Sequence, residues 1–395
     1  MPGERQPGER QPGERQPGER QPGERQPGER QPGERQPGER QPGEPPPAER
    51  TAARLIRQAL ACSALGSPLY GGLLQHAARD LLEGGPTAAV LDGHLDVPAR
   101  TALSLRMMGG VHALVLTGQA GDLARFYPSA GGTADAGPGA DRAWAAFREV
   151  LAGQREAVRA WLGHPPQTNE VGRGAALAGA LCHLVAQANY PVRLFEVGAS
   201  AGLNLRADRF SITGPGVSFG DPASPVRMAG GWLGRPPPRV RLELIERIGG
   251  DLAPVDPVSD AGRLRLCAFV WADQLARFDR LRGACDLAEQ VPVVLRTESA
   301  DETIARIKPE PGTWTVLWHS VMRQYLDEEQ NARLDAGAAA IGAAATAVAR
   351  FAHVSLELVR RSADTPVELA TWPGGRYRPL GTAPPHGIPV TWAAA

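Results

Sequence analysis

Val192-Arg-Leu-Phe-Glu-Val-Gly-Ala-Ser-Ala-Gly-Leu-Asn-Leu205 is the run on which the fold turns. Val192, Leu194, Phe195 and Val197 are apolar and partly β-branched, as expected of a parallel strand covered on both faces. Gly198 and Gly202 allow a sharp turn and close approach of the backbone to a ligand. The run then reads as a helix start, whose first N–H groups would be free for polar oxygens. Such a turn suits a nucleotide-like molecule, and it also serves as a tight connection with no ligand at all.

Spacing separates the ligands. A Gly-x-Gly-x-x-Gly dinucleotide fingerprint from Gly198 requires glycine at 200 and 203, where Ser200 and Leu203 stand. Glu196, two residues ahead of Gly198, followed by Gly-x-x-x-Gly, resembles the first motif of S-adenosylmethionine (SAM) methyltransferases, Asp/Glu-x-Gly-x-Gly-x-Gly, with Ser200 in place of the middle glycine. Gly198-Ala-Ser-Ala-Gly202 also fits Gly-x-Ser-x-Gly, so a serine hydrolase using Ser200, His319 or His386 and an acid such as Asp364 is a rival. Hydrolase sheets are mostly built before the nucleophile. Here the pattern before Val192 is helical and the strands follow, which favours SAM.

Beyond this turn, an α/β fold is expected: a Rossmann-like, methyltransferase-type doubly wound sheet over 190–395, a helical subdomain over 48–189, and a tail over 1–47. The tail holds eight copies of Pro-Gly-Glu-Arg-Gln from Pro2 to Gln41. It offers no apolar residue to a core and each copy is charge-neutral, so disorder is expected. The helical part shows Leu55, Ile56, Ala59, Leu60 and Leu73, Leu74, Ala77, Leu81 at i, i+3, i+4 spacing, with further helices expected over 101–116 and 141–162. Pro165 to Gly172 precedes another helix ending near Asn189. Thr168 or Asn169 is expected to cap it, the alternative being that Gln167 to Glu170 reach over the glycine turn.

Strands are expected at 242–251, 291–298, 314–321 and 351–359, with a closing hairpin formed by 367–372 and 388–392. Open sheets of this kind bind ligands beyond the carboxyl ends of their strands. Asp251, after Gly249-Gly250, sits where a SAM enzyme needs a carboxylate for the ribose hydroxyls. Glu298, or Asp301, could accept from an adenine amino group. His319, beside Ser320, is a candidate proton acceptor oriented by Tyr325, against the alternative of a histidine that buttresses a loop. Trp271, in Phe269-Val-Trp-Ala-Asp-Gln274, reads as core or as a floor for a ring.

Composition narrows the partners. Lys+Arg and Asp+Glu both number 43, leaving no basic excess for a constitutive nucleic-acid partner. Cys62, Cys182, Cys267 and Cys285 are scattered without metal spacing, which implies free thiols, no metal and a cytoplasmic setting. The most apolar run, 102–116, contains Arg106 and His112 and is too short for a membrane.

Leu65-Gly-Ser-Pro-Leu-Tyr70, Pro166-Gln-Thr-Asn-Glu-Val-Gly172, Glu196 to Asn204, Gly250-Asp-Leu-Ala-Pro-Val-Asp256, Phe269 to Gln274, Trp318-His-Ser320 with Tyr325, Trp372-Pro-Gly-Gly375 and Pro385-His-Gly387 together resemble an uncharacterised bacterial domain-of-unknown-function (2332) family with a SAM-methyltransferase-like core. The resemblance covers about residues 50 to 392. It carries no reaction, and it implies that Ser200 is the family's usual form. The function expected is SAM-dependent methylation of an unknown small-molecule or protein acceptor, with Glu196, Gly198, Ser200, Gly202, Asp251 and Glu298 at the cofactor and His319 and Tyr325 at the acceptor. A non-catalytic binding or scaffold protein on the same fold, its helical half and repeat tail engaging a partner, is the alternative.

Overall fold

The computed structural model describes residues 45–98, 101–134, 138–167, 169–359, 362 and 364–393. The repeats of the tail, and Thr168, lie outside them. Residues 46–395 form one compact unit.

Six helices come first: α1 (Pro47–Ala64), α2 (Pro68–Leu82), α3 (Pro86–Leu91), α4 (Leu103–Leu116), α5 (Pro138–Gly153) and α6 (Arg155–Trp161). Pro47, Pro68 and Pro86 begin the first three, where a missing N–H costs nothing. The apolar stripe is narrower than the spacing implies. Leu55, Ala59, Leu73, Leu74, Ala77 and Leu81 are buried, while Ile56 and Leu60 face solvent. The helix expected over 141–162 breaks at Gln154, which leaves helical geometry just after Gly153. These helices share one apolar cluster that also takes in Trp271 and Ala272.

The buried helix α7 (Gly174–Gln187) leads into β1 (Val192–Val197). The helix expected after the glycine turn does not form. Instead Asn204–Arg209 makes a 3-10 helix, with Arg206 outside helical geometry. The turn uses Gly198, Ser200 and Gly202 at positive φ, and Asn169 Oδ1 accepts the Leu203 N–H. The chain continues through β2 (Ser211–Gly214), β3 (Val217–Phe219) and β4 (Arg227–Met228), a small sheet in the order β3-β2-β4, then β5 (Trp232–Gly234).

Next come β6 (Leu244–Asp251), α8 (Asp260–Ala268), α9 (Leu275–Gln290), β7 (Val294–Thr297), α10 (Ala300–Ala305), β8 (Thr313–Ser320), α11 (Glu328–Ala343), β9 (Ala349–Leu356), β10 (Thr365–Trp372), β11 (Arg378–Ala383) and β12 (Val390–Trp392). The main sheet has nine strands in the order β5-β12-β11-β10-β9-β8-β1-β6-β7. The block β7-β6-β1-β8-β9 is parallel throughout. Beyond β9 the strands run antiparallel until β5 pairs in parallel with β12. The fold is therefore mixed α/β with a large, mostly parallel sheet.

The closing hairpin is formed differently from its expectation. β10 pairs with β11, and 390–392 is a third strand on β11. Gly374 and Gly375 provide the positive-φ turn that sends the chain straight back through 378–383, a segment whose Pro379 and Gly381 hid its strand character.

Alternation in β1 separates the two faces. Val192 and Leu194 pack with α7, α9, Trp314, Val316 and Trp318, whereas Phe195 and Val197 pack with Leu317, Ile304, Leu334 and Ile341 of the α10–α11 side. Both faces are thus covered, as a parallel sheet requires.

Candidate functional site

From β1 the chain order moves outward to β6 and β7 on one side and to β8 and β9 on the other, so the sheet has its topological switch point between β1 and β8. The crevice beyond the carboxyl ends at such a point is the place where open α/β sheets take ligands. Glu196 is the penultimate residue of β1, Asp251 closes β6, Glu298 follows β7 and Ser320 closes β8.

The structure brings Glu196, Gly198, Ser200, Gly202 and Asp251 together. Gly198 and Ala199 donate their N–H groups to the Gly250 carbonyl at 2.9 and 3.1 Å. Asp251 accepts from the Ser200 N–H at 2.8 Å through Oδ2 and from the Ala253 N–H at 2.9 Å through Oδ1. Its carboxylate therefore holds the turn. Ser200, at φ +54°, donates its hydroxyl to Gln167 Oε1 at 2.5 Å, and Gln167 Nε2 donates to the Ala253 carbonyl at 3.1 Å. Asn169 does not cap α7, whose N-cap position is taken by Arg173. Its Oδ1 accepts from the Leu203 N–H at 2.7 Å instead. Gln167, Asn169 and Glu170 thus lie over the turn, with Asn204 Nδ2 bound to the Glu170 carbonyl at 3.2 Å.

Neither glycine faces open space. A Cβ at Gly198 would lie 3.1 Å from Met322 Cβ, and one at Gly202 only 2.8 Å from Leu295 Cδ2. Their positive φ and the close packing explain why both are glycine.

Three buried carboxyls stand at this edge, and they differ. Glu196 Oε1 accepts from Trp318 Nε1 at 3.1 Å, while Oε2 has no partner. Burial, with help from the nearby Asp251 charge, outweighs the Trp318 bond and pushes the Glu196 carboxyl up to about 8. Glu298 pairs with Arg306 at 2.9 Å through Oε2, and its buried Oε1 is unpartnered. Glu170 accepts from Arg277 Nε and Nη2, both at 2.7 Å, and from the Gly172 N–H at 3.3 Å. His386 Nδ1 approaches Glu170 Oε2 at 3.4 Å without hydrogen-bond geometry. Burial works against the Glu170 charge, yet Arg277, His386 and Arg173 together hold its carboxyl well below the usual carboxylate range. Arg277 also lies over Trp271, which belongs to the helical core.

His319 is fully buried on the α10–α11 side, and both its nitrogens are engaged. Nδ1 lies 2.7 Å from Glu357 Oε1 and Nε2 lies 2.8 Å from His353 Nε2. His353 Nδ1 in turn meets the Tyr377 hydroxyl at 2.6 Å. No ring nitrogen of His319 is left for Tyr325, which is 69% exposed. Glu357 also accepts the backbone N–H groups of Met322 and Arg323, so it ties down the loop that follows β8.

His353, Glu357, Tyr377, Arg173 and Arg277 carry no local sequence signal of a site. His353 sits in an apolar strand like any core residue, and Glu170 and Arg277 are 107 positions apart. Phe269 to Gln274 was a legible motif, but its polar members fasten the helical layer: Asp273 accepts from Ser67 Oγ at 2.5 Å and from the Leu69 N–H at 3.0 Å, and Gln274 Nε2 donates to the Leu65 carbonyl at 2.6 Å.

The molecule is thus an α/β protein with buried polar side chains gathered at the carboxyl ends of the strands that flank the switch point of a mostly parallel sheet. The chain belongs to the family described as an uncharacterized protein conserved in bacteria (DUF2332), whose model matches residues 52–392. No curated protein and no solved structure matches it. Among the described residues, no group of three or more His, Cys, Asp or Glu is placed to hold a metal, and no helix is long and apolar enough to cross a membrane.

Proposed function

We propose that the protein binds SAM at the β1/β8 switch point and methylates a small-molecule or protein acceptor. One observation carries the reading: two buried carboxyls at the ends of the parallel strands, Glu196 and Glu298, each keep an oxygen without a partner. An unpaired buried acceptor costs about 1–3 kcal/mol, so a ligand that brings donors is favoured there. SAM carries donors of the right kinds in its ammonium, ribose hydroxyls and adenine amino group, and when bound it supplies an electrophilic methyl group. Glu298 is an acceptor in this reading, and Glu196 becomes one by giving up its proton as the cationic ligand arrives. Gly198, Ser200 and Gly202 shape the turn, and Asp251 holds it in place and would accept the ribose hydroxyls on its remaining lone pairs. Tyr325 is the exposed group on the acceptor side.

Calorimetric titration of the full chain with S-adenosylhomocysteine tests this. Binding is expected for the wild type, with loss on Asp251→Ala in protein shown to be folded by circular dichroism. A wild type that gives no heat overturns the proposal.

A second reading, a non-catalytic binding protein on the same fold, is favoured by the packing of Met322 against Gly198 and by the two backbone bonds that already occupy Asp251. It predicts no response to S-adenosylhomocysteine. The serine hydrolase reading gains no support from Ser200, whose hydroxyl donates to Gln167 rather than to a histidine. Labelling of Ser200 by a fluorophosphonate would revive it.

A further inference from the structure

Glu357, His319, His353 and Tyr377 form an unbroken chain of hydrogen bonds, at 2.7, 2.8 and 2.6 Å. It is assembled by register. β8 and β9 pair in parallel with Leu317 opposite His353 and His319 opposite Ser355, which sets the two imidazoles side by side on the α10–α11 face. Both rings are fully buried, whereas the two ends are not: Tyr377 is 46% exposed and the Glu357 side chain 14%. The Glu357 end is at the switch point, because its carboxylate binds the N–H groups of Met322 and Arg323 and Met322 packs over Gly198.

A neutral imidazole has one donor nitrogen and one acceptor nitrogen, so the facing Nε2 atoms share a single hydrogen. The whole chain then has a direction, and two settings satisfy every bond. In the first, the Tyr377 hydroxyl donates to His353 Nδ1, His353 Nε2–H donates to His319 Nε2, and His319 Nδ1–H donates to the Glu357 carboxylate. In the second, a protonated Glu357 donates to His319 Nδ1, His319 Nε2–H donates to His353 Nε2, and His353 Nδ1–H donates to the Tyr377 oxygen. The second setting holds one proton more. Passing from the second to the first moves the Glu357 proton to His319 Nδ1, the His319 proton to His353 Nε2 and the His353 proton to the Tyr377 oxygen, which releases its own proton to water. The count balances without any other reactant.

We propose that Glu357, His319, His353 and Tyr377 are a proton relay that takes a proton released at the switch point and discharges it to solvent at Tyr377. This rests on the methyltransferase reading and deepens it: the acceptor is protic, an O–H or N–H group whose proton Glu357 receives. His319 and His353 are positioning and conducting residues that touch no ligand. The surroundings keep His353 neutral. Burial, then His319 and Arg323, hold His353 well below the usual histidine range, while burial and Asp335 push Tyr377 up to about 12. The other charged groups facing the chain are Arg173 near Glu357 and Glu368 near Tyr377, and Arg323 is itself paired with Asp335.

The test is nitrogen NMR of the full chain labelled with 15N-histidine, titrated from roughly pH 5 to 9, the window in which histidine charge ordinarily changes. A nitrogen that bears a hydrogen is well separated in shift from a bare one, so tautomer and charge are read directly. The expected result is that His319 and His353 exchange tautomers together with one common midpoint, neither becoming imidazolium, and that Glu357→Gln abolishes the exchange at both rings although, of the two, residue 357 touches only His319. Tautomers constant across the titration, or two independent midpoints ending in imidazolium, overturn the relay. These outcomes are visible in the wild type even if the variant does not fold. They do not depend on S-adenosylhomocysteine binding, so failure of the relay and failure of the methyltransferase reading are told apart.

Discussion

Glu196 and Glu170 stand at the same edge of the sheet, equally hidden from water, and their surroundings drive them in opposite directions. Glu196, at the end of β1, has one donor, Trp318, and an oxygen with no hydrogen-bond partner. Glu170, ahead of α7, has Arg277 on one oxygen and a backbone N–H on the other. Burial disfavours both carboxylates. Only the second has partners enough to outweigh it, so one side chain is held protonated and the other is held charged. Partner count, rather than depth, decides charge here. The carboxyl with an unpartnered oxygen is the one assigned to a ligand in the proposed function, and the saturated one fastens structure.

The largest effect expected from this contrast is on the saturated side. Glu170→Ala leaves the Arg277 guanidinium, whose side chain is 11% exposed, without its counter-charge. Breaking a buried pair from one side costs about 3–5 kcal/mol. Denaturant unfolding should show a loss of that size. Replacing both partners together, Glu170→Met with Arg277→Met, should recover much of it. A double variant as unstable as the single one would mean that the segment depends on the charges themselves.

On the unpartnered side the sign reverses. The folded Glu196 carboxyl, at about 8, lies above its ordinary value of 4.5. Between those values the folded chain keeps a proton that the unfolded chain has released. Stability therefore falls as pH rises through this window, by about 1.4 kcal/mol per pH unit for this one group. Below 4.5 both states are protonated and the effect vanishes. Glu196→Gln preserves an acceptor for Trp318 and removes the titration, so relative to the wild type it should gain about 3 kcal/mol over two pH units inside the window. Parallel stability–pH curves for the two proteins would show that Glu196 is ionised in the fold.

How much of this was readable follows from how local each feature is. β1, its turn and the ends of β6 and β8 were legible because strand burial and glycine spacing are written within a few residues. Hence Glu196, Gly198, Ser200, Gly202 and Asp251 do converge. The 3-10 helix that stands in place of the α-helix after the turn is fastened from outside the run: Asn169, 34 positions upstream, accepts the Leu203 N–H. The chain from Glu357 to Tyr377 was invisible for the same reason: His319, His353 and Tyr377 meet only through the register of β8 with β9 and the return of the chain after β10. Tyr325, six residues from His319, was the natural partner by proximity in sequence, and tertiary pairing overrode it.

Asn169 is the residue that joins the two neighbourhoods. It is 8% exposed, sits next to Glu170, and through Oδ1 holds the first amide after Gly202 at 2.7 Å. Asn169→Ala deletes the acceptor and leaves a buried N–H unpaired, which costs about 1–3 kcal/mol and ranks below either carboxyl variant. Asn169→Asp keeps the acceptor oxygen and should retain most of the stability that alanine loses. The difference between the two substitutions isolates the one bond, because both abolish the side-chain amide. Hydrogen exchange supplies the local readout: the Leu203 amide should lose protection in Asn169→Ala while amides in the centre of β1 keep theirs. If protection falls equally in both places, Asn169 supports the whole sheet edge. The unpartnered oxygen of Glu196 would then be held in place by the same segment that keeps Glu170 saturated, and the two neighbourhoods would unfold as one.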